Sequence, residues 1–113
     1  MKKIHKILIT GSSGFIGSNL SSLLSKNNYK IHLVNSSNGD IFDNETWKKF
    51  PKCDLLIHLA GLSFTPMSWE NPSLFYKTNV IGTQEALNYC NKNNAKLLFL
   101  STYLYGNPID LPI

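Results

Sequence analysis

The sequence predicts an α/β fold: an open parallel sheet of about four strands with helices on both faces. Three observations carry this. Short apolar runs alternate with segments of helical periodicity along the chain. The first run ends in a glycine-rich turn that opens onto a helical segment. The third run is apolar throughout, as a strand covered on both faces should be. At 113 residues the chain is read as one domain with a modest core.

The elements follow in order. Ile4 to Thr10 is a short, β-branched apolar run and reads as the first strand. Phe15 to Lys26 reads as a helix, with Ile16, Leu20, Leu23 and Leu24 on one apolar face. Lys30 to Asn35 is the second strand, followed by a turn at Ser36-Ser37-Asn38-Gly39. Asp43 caps a short helix carrying Trp47 and Phe50, which Pro51 ends. Leu55 to Ala60 is the third strand, and Gly61 to Glu70 is expected to be a loop. Asn71-Pro72 then starts the longest helix, which runs to about Asn91. It places Phe75, Asn79, Gly82, Ala86 and Tyr89 on one face. Lys96 to Ser101 is the fourth strand. Strands joined through helices imply right-handed parallel crossovers, with the second, first, third and fourth strands side by side in that order.

Composition narrows the function classes. Hydrophobic residues make up 42% of the chain and charged residues 16%, which fits a packed domain and not a disordered one. No apolar run is long enough to span a bilayer. The apolar run behind the basic N-terminus stops at Thr10-Gly11 without a small-residue cleavage site, so it reads as a buried strand and not a signal peptide. The net charge is +4, carried by scattered lysines with no arginine, a pattern that argues against nucleic-acid binding. Cys53 and Cys90 lack metal-ligand spacing and read as reduced, partly buried thiols; no metal site is expected. A cytoplasmic location follows from that cysteine usage.

Gly11, Gly14 and Gly17 lie between the first strand and the first helix. A pyrophosphate can reach unpartnered N–H groups at a helix N-terminus only where side chains do not block it. The third glycine lets helix and strand approach. The spacing here is G-x-x-G-x-x-G. The same glycines could serve only the dihedrals of a tight turn.

The stretch Thr10-Gly11-Ser12-Ser13-Gly14-Phe15-Ile16-Gly17 resembles the fingerprint of the extended short-chain dehydrogenase/reductase family. These are NAD-dependent sugar-nucleotide epimerases, dehydratases and reductases. Four further matches follow in family order. The resemblance implies a Rossmann-like domain with cofactor contacts at Gly11, Ser13, Gly14, Phe15, Ile16 and Gly17. Gly39-Asp40-Ile41 is similar to the family's G-D-I segment, which implies that Asp40 accepts from the adenine amino group while Ile41 packs on the ring. His58-Leu59-Ala60-Gly61 implies that the backbone of Leu59, Ala60 and Gly61 runs along ribose and pyrophosphate. His58 itself reads as a strand residue and not a general base. Asn79-Val80-Ile81-Gly82-Thr83 is similar to N-V-x-G-T; Asn79 either bonds neighbouring backbone or shapes the cofactor pocket, two compatible roles. Leu100 to Pro108 is similar to the strand end carrying the hydroxyl that helps polarise the substrate oxygen. Counting back from Tyr105-Gly106 puts that hydroxyl on Ser101, the preferred choice; counting forward from the strand puts it on Thr102.

The chain also departs from the pattern. Asn35 stands where the family has an Asp on the adenosine ribose. An Asn brings no charge to exclude a 2′-phosphate, so NAD is expected with NADP not excluded. The step from Asn35 to Asp40 leaves no room for the strand the family places there, which implies a thin sheet edge. No tyrosine is followed by a lysine four residues later, so the family's Y-x-x-x-K is missing from these 113 residues. The expectation is a partial cofactor-binding domain over residues 1–113, truncated before the C-terminal substrate domain and inactive alone. A nucleotide sugar is the expected substrate class. The alternative is a non-catalytic dinucleotide-binding module or a half-enzyme completed by another chain. A homo-oligomer stays open.

Overall fold

The computed structural model describes residues 3–102 and 106. Four strands form one parallel sheet: β1 Lys6–Thr10, β2 Lys30–Val34, β3 Leu55–His58 and β4 Lys96–Phe99. Their order is β2-β1-β3-β4, as the alternation of runs and helices predicts. On β1, Ile7 pairs with Ile31 and Leu55, and Thr10 pairs with Val34 and His58. On β4, Phe99 lies opposite His58. Parallel pairing brings the carboxyl ends of all four strands to one edge, where open α/β sheets hold their ligands.

The pleat sorts the strand residues onto two covered faces. Leu8, Val34 and Leu56 face α2 (Asn44–Lys48) and α5 (Gly82–Asn93), and pack with Trp47, Ala86, Tyr89 and Cys90. Ile7, Ile9 and Ile57 face α1 (Phe15–Ser25) and meet Leu20 and Leu24. Each such side chain, fully buried, contributes roughly 1.5–3 kcal/mol. The two large polar-edged aromatics are satisfied. Trp47 Nε1–H donates to the Ile41 carbonyl at 2.6 Å, and Tyr89 O–H donates to the Pro51 carbonyl. Cys53 and Cys90 are free and buried more fully than composition suggests. Burial pushes both thiols up, Cys90 to about 11.

Local signals in the sequence place two helix starts. Asp43 accepts from the Glu45 N–H at 3.0 Å and caps α2. Asn71 accepts from the Leu74 N–H at 3.2 Å and caps α4 (Pro72–Tyr76), with Pro72 at the first helical position. Other elements differ from expectation. The loop expected over 61–70 contains a short helix, α3 (Thr65–Glu70). Its Phe64, Met67 and Trp69 are exposed, so no buried stripe marked it as helical. The long helix from Pro72 is interrupted by a π-helical turn, Lys77–Ile81, where the Gly82 N–H donates to the Lys77 carbonyl five residues back. It ends at Asn93, with Asn94 left-handed at φ 51°.

On α1 the buried face is rotated from the expected stripe. Gly17 is buried and Leu20 and Leu24 pack inward, whereas Ile16 and Leu23 are exposed. The contact is centred on the glycine, and Ile16 and Leu23, seven residues apart, fall together on one flank of the helix outside it. The third and fourth strands also end earlier than expected, at His58 and Phe99. Between β2 and α2 the chain makes a single 3₁₀ turn, Ser36–Asn38, and no strand, so β2 forms the thin edge.

Leu8→Ala is expected to lower the free energy of unfolding by about 2–5 kcal/mol, while Leu23→Ala changes it by roughly 0.5 kcal/mol or less. Urea titrations of both variants check the rotated face.

Candidate functional site

The site begins where three backbones meet without side chains between them. Gly11 has φ +68°. A Cβ there would lie 2.7 Å from the Leu59 carbonyl carbon and the Ala60 nitrogen. A Cβ on Gly17 would lie 2.2 Å from the Gly11 carbonyl oxygen. These two glycines therefore set how closely β1, β3 and α1 approach. Gly14 differs. A Cβ there would meet only the Gly11 carbonyl oxygen, at 3.3 Å, and Gly14 lines an open cavity.

Gly14 is the N-cap residue of α1, and no side chain caps that helix. The first turn has no acidic residue either. The leading N–H groups of an α-helix lack intrahelical partners, and the macrodipole favours an anion there. The turn thus offers a bare donor cluster of the kind that holds a phosphate. Phe15 and Ile16 bring their main-chain N–H groups to this turn, while their side chains are exposed, Phe15 at 87%.

From this turn a cavity of about 400 Å³ runs along the carboxyl edge of the sheet. Nine of the sequence-predicted residues line it: Gly11, Ser13, Gly14, Asn35, Asp40, Ile41, Leu59, Ala60 and Gly61. Phe15, Ile16, Gly17 and Asn79 do not. Asn79 is exposed and stays outside the lining, but it holds the adjoining loop. Its Oδ1 accepts from the Leu62 N–H at 2.8 Å and its Nδ2 donates to the Leu62 carbonyl at 2.9 Å. The two bonds fix the loop that carries Gly61 and Leu62 into the lining. Ser101 and Thr102 are exposed just past β4, at the same edge but outside the lining. Tyr105, Asn107 and Pro108 lie outside the described residues.

Sequence reasoning missed Val34, Ser36, Phe42, Leu62, Leu74 and Thr78 as lining residues. Leu74 and Thr78 stand four apart on one helical face, and Phe42 directly follows Asp40-Ile41. Only the fold brings them to one wall.

His58 supports the edge from below. It is 2% exposed, and its Nδ1 lies 2.8 Å from Thr10 Oγ1. That same oxygen accepts from the Ala60 N–H at 3.3 Å. With the Thr10 hydroxyl proton directed at Nδ1, the imidazole carries its own proton on Nε2. The buried Nε2 has no partner among the described residues. Burial pushes the imidazole down to about 4. A neutral ring tied to the strand end braces β1 against β3, in line with reading His58 as a strand residue.

Comparison with known proteins then decides the family. The family model described as NAD dependent epimerase/dehydratase family matches residues 7–113. The chain belongs to that family. It is 33% identical to the bifunctional polymyxin resistance protein ArnA of Wigglesworthia glossinidia brevipalpis, over 93% of this chain and 19% of that protein. It is also 33% identical to a UDP-glucose 4-epimerase of Yersinia enterocolitica, over 95% of this chain and 40% of that one. Among solved structures, an epimerase from Methanothermobacter thermautotrophicus matches with a TM-score of 0.88 at 24% identity, covering 98% of this chain and 40% of that chain. This last likeness speaks to the fold alone. The chain spans 40% or less of the length of each of these three proteins.

The His58 geometry carries a pH dependence. The unfolded imidazole takes its proton near 6.5, the folded one near 4. The folded pKa is depressed, so the stabilisation is complete above about pH 6.5 and is lost as pH falls toward 4. Between about pH 7 and about pH 4.5, wild type is expected to lose roughly 2 kcal/mol more stability than His58→Gln. Denaturant titrations at the two pH values check this, and equal losses would remove the buried neutral imidazole as the cause.

Proposed function

We propose that this chain binds a nicotinamide dinucleotide and forms the cofactor-holding part of an enzyme acting on a nucleotide sugar. One observation carries the reading: a single cavity joins the N-terminus of α1, which no side chain caps, to the end of β2. That length and chemistry suit a pyrophosphate at one end and an adenosine at the other. The nucleotide-sugar substrate is carried over from the UDP-glucose 4-epimerase relative.

The fit can be followed residue by residue. Gly14 leaves open the space that a Cβ would begin to fill, and the N–H groups of α1 face the pyrophosphate. Ser13 adds a hydroxyl beside it. Asp40 accepts from the adenine amino group, while Ile41 and Phe42 give the ring an apolar wall. The main chain of Leu59 to Gly61 runs under the ribose and pyrophosphate, held in place by Thr10 and Asn79. When bound, the nicotinamide supplies the acceptor or donor of a hydride. Ser101, or Thr102 in its place, stands at the strand end next to that chemistry and polarises the substrate oxygen by hydrogen bonding. No tyrosine of the 113 residues has a lysine four positions on. The chain by itself is therefore expected to bind cofactor without turning over a nucleotide sugar. Steady-state assays with NAD(P)H check that half of the proposal.

Gly14→Val separates binding from folding. Its side chain enters the cavity and meets little backbone. Fluorescence titration with NADH and NADPH is expected to show at least about a hundredfold loss of affinity for both cofactors, roughly 3 kcal/mol, while circular dichroism shows the variant still folded. Unaltered affinity would remove the pyrophosphate from this turn.

A further inference from the structure

At the end of β2, Asn35 lines the cavity, and its amide is already engaged. The Ser37 N–H donates to Asn35 Oδ1 at 2.9 Å, and the Ser37 hydroxyl donates to the same atom at 2.6 Å. A backbone N–H can only donate, so the atom facing it is the oxygen and the orientation of the amide is fixed. Asn38 completes the turn, its Oδ1 accepting from the Asn35 N–H at 2.9 Å. Both lone-pair directions of Asn35 Oδ1 are thereby used. Only Nδ2, a donor, remains uncommitted among the described residues.

This reverses the chemistry by which such a strand end selects its cofactor. A carboxylate there accepts from the ribose hydroxyls and repels a 2′-phosphate. Asn35 Nδ2 can do neither. It donates equally to a hydroxyl oxygen and to a phosphate oxygen. Ser36, the next lining residue, offers a hydroxyl that also serves both. Among the described residues no lysine lines the cavity to favour a phosphate, and the one carboxylate there, Asp40, is placed on the adenine in the reading above. Ser36, Ser37 and Asn38 are exposed, so a 2′-phosphate at this rim keeps much of its water.

We infer that this site does not discriminate between NAD and NADP, because the Ser37 turn occupies the only side-chain acceptor that Asn35 could present to the ribose. The inference rests on the dinucleotide reading proposed above. Asn35→Asp supplies the missing charge, and its second oxygen lets the Ser37 bonds persist. Asn35→Ala removes the bonds and adds no charge.

Titration with NADH and NADPH at one fixed ionic strength tests the inference on the 113-residue chain, with circular dichroism confirming that each variant is folded. Wild type is expected to bind the two with dissociation constants within about tenfold of each other. Asn35→Asp is expected to shift that ratio by about tenfold or more toward NADH, and Asn35→Ala to leave it within about tenfold. A wild-type ratio beyond tenfold in either direction overturns the inference while leaving the dinucleotide reading standing. So does a ratio that Asn35→Asp shifts by less than tenfold, or that Asn35→Ala shifts as far as Asn35→Asp does. Failure of both cofactors to bind wild type overturns the dinucleotide reading and the inference with it.

Discussion

Everything in this structure turns on one close approach. The Gly11 carbonyl oxygen lies 2.2 Å from where a Cβ on Gly17 would be, and Gly11 itself lies against the main chain of Leu59 and Ala60. Backbone touches backbone across β1, α1 and the end of β3. No side chain could be accommodated at either contact without moving a main chain. That constraint sets the distance from α1 to the sheet, so it decides which residues of α1 are buried. It also holds the N-terminus of α1 at the carboxyl edge, where its unpartnered N–H groups open onto the cavity. Gly14 shares the motif but not the constraint: its missing side chain leaves space for a ligand and not for the protein's own backbone.

The rest of the site is braced from behind by polar side chains that never line the cavity. Thr10 and His58 tie β1 to the outgoing end of β3, and Asn79 holds Leu62 by both of its amide atoms. The π-helical turn at Lys77–Ile81 contains Asn79, while Thr78 beside it reaches the cavity. One short segment thus sends neighbouring residues to different tasks, the loop and the lining. An unbroken α-helix would change the angular relation between these residues and those that α5 buries, Gly82, Ala86 and Tyr89.

Much of the fold was legible because its signals are local. Asp43 and Asn71 cap the helices they were expected to cap, and the rhythm of strands and helices fixes the order β2-β1-β3-β4. What was hidden depends on tertiary contact. The rotation of α1 follows from Gly17 meeting Gly11, which no periodicity in Ile16, Leu20, Leu23 and Leu24 reveals. The helix Thr65–Glu70 buries none of its large apolar side chains, so it left no amphipathic trace. Within the cavity, motif residues such as Gly14, Asp40 and Ala60 could be named from sequence. Leu74 and Thr78 could not, since only folding sets their helix opposite the end of β2. The role of Asn35 was half legible: its missing charge is plain in the sequence, but its captured oxygen is visible only in three dimensions.

The two cysteines close on a different consequence. Both are sealed in the face of the sheet that α2 and α5 cover, at 5% and 6% exposure, with their thiols held in the protonated form by burial. Thiolate, the reactive species, is scarce at neutral pH in such surroundings. The folded surface therefore carries no native sulfhydryl for an alkylating dye. A single cysteine placed at an exposed position away from the cavity would be the sole labelling point on the molecule, without any cysteine having to be removed first.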